Sequence, residues 1–101
     1  MGFEQVKAAG IYEDGSEGTL SFESFPNQAE MTTYAANSSV TDSAAAGTAI
    51  ATGQKVNCGV ISMAYPGDGN ELETLLEYFK TKNKSVGLVT TVYVTHATPA
   101  A

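Results

Sequence analysis

Residues 40–53 constrain this chain more than any other stretch. Two β-branched residues, Val40 and Thr41, lead into Asp42-Ser43, and a run of small, helix-favouring residues follows from Ala44 to Ala51. Asp and Ser are preferred helix N-caps because their side-chain oxygens accept from backbone N–H groups that have no partner within the helix. The spelling therefore predicts an extended approach, a capped turn at Asp42-Ser43 and a helix that Gly53 stops. Ser43 is expected at the mouth of that helix, where free N–H groups and the positive end of the dipole favour an anion. The small side chains at 44–49 allow backbone or ligand to approach closely. A phosphate is a reasonable occupant, and a plain N-cap is the simplest alternative.

The segments around this turn read in order. Phe3, Val6, Lys7 and Ile11 fall on one helical stripe, interrupted by Gly10 and expected to pack in a core. Glu13-Asp14-Gly15-Ser16-Glu17-Gly18 is a polar turn whose carboxylates lack the spacing of a calcium loop. Leu20 to Phe25 alternates before Pro26, as a short edge strand would. Met31 to Ala36 is an extended segment and Asn37-Ser38-Ser39 a loop. Val56 to Met63 fits strand or loop equally well. Pro66-Gly67-Asp68-Gly69-Asn70 is a turn that matches neither the P-loop nor the dinucleotide-binding spacing.

Glu71 to Lys82 is predicted as a helix. Leu72, Leu75, Leu76 and Phe79 share one face, with Asn70 as N-cap and Asn83 as a left-handed exit. Val86 to Val94 is β-branched and apolar on both faces, as a buried parallel strand is. Helix, turn and buried strand form half of a β-α-β unit, so the fold class read from the residues is α/β. Such sheets bind ligands beyond the carboxyl ends of their strands, which puts His96 and Thr98 in a position for chemistry.

Composition removes several function classes. Of 101 residues, 43% are hydrophobic, enough for a modest core. Five lysines face eleven carboxylates, for a net charge of −6, and there is no arginine. Nucleic-acid binding needs clustered cations and is not expected. No apolar run is long enough to span a membrane, and no signal peptide opens the chain. Cys58 is alone, so it can form no internal disulfide.

Two blocks carry a family resemblance. Asn37 to Ala49 resembles the signature around the nucleophilic serine of the alkaline phosphatase family, Val/Ile-x-Asp-Ser-small-small-small-Gly/Ala-Thr. Lys84 to Thr91, followed by Thr95-His96-Ala97-Thr98-Pro99-Ala100-Ala101, looks like that family's next region in the right order. The resemblance implies an α/β/α sandwich around a mostly parallel central sheet, of which this chain holds an incomplete part. It implies hydrolysis of phosphate monoesters through a phosphoserine intermediate, with two zinc ions and one magnesium ion as cofactors. Ser43 would be the nucleophile and a zinc ligand, and Asp42 would help hold a phosphate-binding arginine. Thr98 would ligate magnesium, and His96 would meet it through water. A homodimer in the periplasm or outside the cell is also implied.

The family's Asp-Gly-Met-Gly element would put a metal-ligating aspartate just before Met1-Gly2. Residues 1–101 are therefore expected to be one incomplete domain from the N-terminal half of a catalytic domain, inactive alone because the arginine and most metal ligands are missing. Two other readings stay open: a non-catalytic anion-binding α/β module, and a serine hydrolase built on Asp42, Ser43 and His96. The second lacks the Gly-x-Ser-x-Gly elbow.

Overall fold

The computed structural model describes residues 2–101, and the expected element at Met1-Gly2 begins outside the described residues. Its helices are α1 (Phe3–Asp14), a 3₁₀ turn at Ser21–Ser24, α2 (Ser43–Thr52), α3 (Leu75–Thr81) and α4 (Ala97–Ala100). They fall into two units, Met1–Met31 and Thr32–Ala101.

In the first unit, α1 runs straight through Gly10 and ends at Gly15, which takes the left-handed conformation at φ 77°. Gly10 is not a break. It is buried, and a Cβ there would lie 2.9 Å from Ser16 O and 3.2 Å from Thr19 Oγ1, because the following turn folds back onto the helix. The expected core stripe does not form within this unit: Phe3 is 86% exposed and Ile11 51%. Leu20 to Phe25 is not an edge strand. The Glu23 carboxylate accepts from Leu20 N–H at 3.0 Å, and Glu23 N–H donates to Leu20 O at 2.9 Å, which closes the 3₁₀ turn. A residue whose side chain satisfies its neighbour's N–H this way competes with extended pairing.

The second unit is built on α2. Asp42 caps it, accepting from Ala45 N–H at 2.9 Å, and Gly53 at φ 75° returns its N–H to Ala49 O. Both ends thus match the sequence reading. The core consists of Ala35, Ala45 and Val56, with Cys58, Val60 and Leu72 packed against them. Thr48 is fully buried in α2. Its hydroxyl donates to Val60 O at 3.3 Å and accepts from Ser62 N–H at 2.9 Å, which stitches the helix to the irregular segment that passes beside it. Segment 56–63 is loop rather than strand, apart from one bridge between Met63 and Glu71.

That bridge shortens the next helix. Leu72 N–H donates to Ser62 O and Ala64 N–H to Asn70 O, so Asn70 to Leu72 is drawn into hairpin-like pairing. The helix starts at Leu75 instead of Glu71, capped by Thr74 rather than Asn70. Thr74 and Glu77 form a reciprocal capping box, a signature legible in Thr74-Leu75-Leu76-Glu77. Asn83 leaves in the left-handed conformation at φ 56°, as expected.

The α/β/α sandwich is not formed: there is no named strand among the described residues, only isolated bridges. Val86 to Val94 is irregular and exposed, with Val89 at 103%. A parallel strand needs neighbours for its N–H and C=O groups and cover for both faces. Neither is present here. The apolar pattern has no partner to act on.

Candidate functional site at the Ser43 turn

Ser43 is the first residue of α2 and is exposed. Among the described residues its hydroxyl makes no hydrogen bond, so it is free to face a ligand. Asp42 just before it is fully engaged. One carboxylate oxygen caps Ala45 N–H, and the other accepts from Gly59 N–H at 2.7 Å. Each oxygen retains a second lone pair on which a cation from elsewhere can bind.

The approach to this turn is laced to the segment that follows α2. Ala36 N–H donates to Val56 O at 3.0 Å, Asn37 Oδ1 accepts from Cys58 N–H at 2.9 Å, and Lys55 Nζ donates to Tyr34 O at 2.6 Å while lying over the Tyr34 ring. Gly59 takes φ 82°, where an L side chain would be strained. Asn37 was not singled out from the sequence. Its partner is 21 residues away, and no local pattern announces such a bond.

Thr98 lies in α4, which packs on α2, and His96 stands at the N-cap position just before it. The close contact is at Gly47, one turn beyond Ser43. A Cβ there would lie 2.9 Å from Ala101 Cβ and 3.5 Å from Thr98 Cα. Gly47 thus seats another piece of backbone, and the end of the second sequence block is brought against the helix that begins at Ser43. His96 is half-buried, its ring edge-on to Tyr93 with centroids 5.3 Å apart. His96 and Thr98 line a hollow of about 390 Å³ together with Leu88, Val89 and Val92, and Ser43 is not on its wall. No hydrogen bond joins Asp42, Ser43 and His96 among the described residues. The carboxylate is turned to backbone amides rather than to an imidazole, so the triad of the serine-hydrolase reading is not assembled.

The donors do not amount to a metal site. Among the described residues no three His, Cys, Asp or Glu side chains gather where they could hold an ion. Zinc in catalytic sites takes about three protein ligands. Ser43, Thr98 and one imidazole do not meet that need.

The capped serine turn and the short helix that carries Thr98 pack together in the second unit. The family model for alkaline phosphatase matches residues 1–101, and the chain belongs to that family. It is 39% identical to an alkaline phosphatase of Gadus morhua, 37% to the human tissue-nonspecific isozyme of alkaline phosphatase and 38% to a streptomycin-6-phosphate phosphatase of Streptomyces griseus. All of this chain is covered in each case, against 24%, 22% and 23% of those proteins, so it spans about a quarter of their length. No solved structure matches the chain. Family membership suggests an α/β fold. No helix among the described residues is long and apolar enough to cross a membrane.

Proposed function

We propose that this chain is the nucleophile-bearing part of a phosphomonoesterase, an N-terminal-half portion of an alkaline phosphatase catalytic domain, with Ser43 as the attacking group. The observation that carries the reading is an exposed Ser43 hydroxyl, unbonded among the described residues, at the first position of a helix whose capping aspartate is held on both oxygens. A nucleophile fixed on a capped helix end meets phosphate beside free N–H groups and the positive end of the dipole.

The step balances simply. Ser43 Oγ forms a bond to phosphorus as the ester P–O bond breaks, and the serine proton ends on the departing alcohol. Water then cleaves the phosphoserine, releasing phosphate and restoring the hydroxyl. Asp42 keeps the turn in place and offers its remaining lone pairs to an arginine from outside residues 1–101. The two zinc ions and one magnesium ion implied by the family would draw most of their ligands from outside these residues, with Ser43, Thr98 and water-linked His96 as this chain's share. What divalent metals supply to such a site is a lowered hydroxyl pKa and charge neutralisation on phosphate oxygens. In the whole enzyme Val86 to Val94 would join a mostly parallel sheet, completing the α/β/α sandwich. A homodimer acting on phosphate monoesters in the periplasm or outside the cell fits the same family reading.

The test is acid-quenched ³²P labelling of the whole enzyme with peptide mapping. Label is expected on Ser43, and Ser43→Ala should lose it, with activity lower by about two orders of magnitude or more. Label on another residue, or undiminished label in Ser43→Ala, rules the assignment out. Residues 1–101 alone, supplied with Zn²⁺ and Mg²⁺, are expected to hydrolyse p-nitrophenyl phosphate no faster than their Ser43→Ala variant.

A further inference from the structure

Asn37 and Asp42 hold two consecutive backbone amides. Asn37 Oδ1 accepts from Cys58 N–H at 2.9 Å, and Asp42 Oδ2 accepts from Gly59 N–H at 2.7 Å. The other oxygen of Asp42 fixes Ala45 N–H in the first turn of α2, the turn that begins with Ser43. A continuous path therefore runs from the Asn37 carboxamide through the Cys58-Gly59 peptide and the Asp42 carboxylate to the backbone that carries Ser43.

We propose that Asn37 is a positioning residue for Ser43: by anchoring Cys58 N–H it aims Gly59 N–H at Asp42 and so sets the angle at which the serine is presented. The proposal rests on the reading of Ser43 as the nucleophile. Its effect is separable from folding for a structural reason. Val56 is held in the core without Asn37, through Ala36 N–H to Val56 O and through its packing with Ala35 and Ala45. Asn37 itself is exposed. Losing its oxygen removes the side-chain acceptor on Cys58 N–H and loosens the 58–59 turn, which carries Gly59 at φ 82°. The flanking ties, Cys58 Sγ to Val40 O and Val60 N–H to Asn57 O, and the packing of Cys58 and Val60 on the core keep the core in place. A misaimed nucleophile lowers the rate of the chemical step, because attack requires alignment within a fraction of an ångström.

The experiment uses the whole enzyme, with Asn37→Leu (similar size, no acceptor) and Asn37→Asp (acceptor retained). Asn37→Leu is expected to lower kcat by about 10- to 100-fold. KM, the inhibition constant of inorganic phosphate and the melting temperature should stay close to wild type, and ³²P incorporation at Ser43 should slow in the same ratio as kcat. Asn37→Asp is expected to recover kcat to within about threefold. Wild-type kcat in folded Asn37→Leu overturns the proposal. So does an Asn37→Asp variant as slow as Asn37→Leu, since the acceptor would then be irrelevant, or a melting temperature that falls while kcat per folded molecule holds. If Asn37→Leu does not fold, Asn37→Ser, whose shorter hydroxyl reaches poorly, is read instead: a lowered kcat supports the proposal and a wild-type kcat overturns it. Failure of the underlying reading looks different. Wild-type enzyme would then carry no label on Ser43, whatever the Asn37 variants do, and the proposal would fall with it.

Discussion

Segments 34–62 and 86–94 are both short of regular strand, yet they differ in how their polar groups are satisfied. In the first, Asn37, Asp42 and Thr48 reach across 12 to 21 residues to backbone amides or carbonyls, and Val56 is 1% exposed beneath them. In the second, a more hydrophobic stretch is bare: Leu88, Val89, Tyr93 and Val94 are each more than half exposed. Among the described residues its one internal side-chain tie runs from Val92 N–H to Thr90 Oγ1. Hydrophobicity alone orders nothing. A segment becomes part of a core when its backbone groups find partners at the same time as its side chains find cover.

The largest effect should come from the polar group buried deepest in the ordered region. Thr48→Val keeps the shape but leaves Val60 C=O and Ser62 N–H without their partner, at a cost of about 1–3 kcal/mol for each unpaired group. Urea unfolding followed by circular dichroism should show that loss, and Thr48→Ser should recover most of it. A neutral Thr48→Val would break the contrast, since side-chain stitching would then not be what orders this region.

Asp42→Ala comes next, removing the cap of α2 and the Gly59 anchor together, for about 2 kcal/mol. Asp42→Asn keeps one acceptor oxygen and should cost roughly half of that, the amide nitrogen being unable to accept. Equal losses in the two variants would mean that only one of the two bonds matters.

A weaker, pH-dependent effect belongs to α3. The Thr74 backbone N–H, then its hydroxyl, hold the Glu77 carboxyl below its ordinary value of 4.5, with Lys80 adding to this slightly. A lowered folded pKa means the carboxylate's contribution is complete above pH 4.5 and is lost as pH falls through the lower folded value. Acid titration of helix content should therefore show a small loss in that window, absent in Glu77→Gln. The smallest effect sharpens the comparison from the other side. Val89→Lys should change the stability of residues 1–101 by less than about 0.5 kcal/mol, because the side chain is already in water. The same change should reduce self-association in sedimentation velocity, since an uncovered apolar segment is an aggregation hazard. A large destabilisation would mean that Val86 to Val94 is covered after all.

Local chemistry was legible. Asp42 as cap, Gly53 and Asn83 as left-handed exits and the helix after Ser43 follow from side chains acting within four residues of themselves, and the structure reproduces them. The Thr74-Glu77 box was equally readable, but the leucine periodicity of 72–79 masked it and pulled the predicted helix start back to Glu71. The Asp42-Ser43 turn was legible as spelling, because Ser43 and its cap are adjacent. Everything that depends on distant partners was decided by tertiary structure. Gly10 became a packing seat because residues 16–19 fold over it, and Gly47 seats α4. Asn37 found its partner in an amide 21 residues away. Val86 to Val94 reads as a buried strand, yet burial is a property of neighbours. Sequence determines what a segment can satisfy by itself, and only the assembled chain determines what surrounds it.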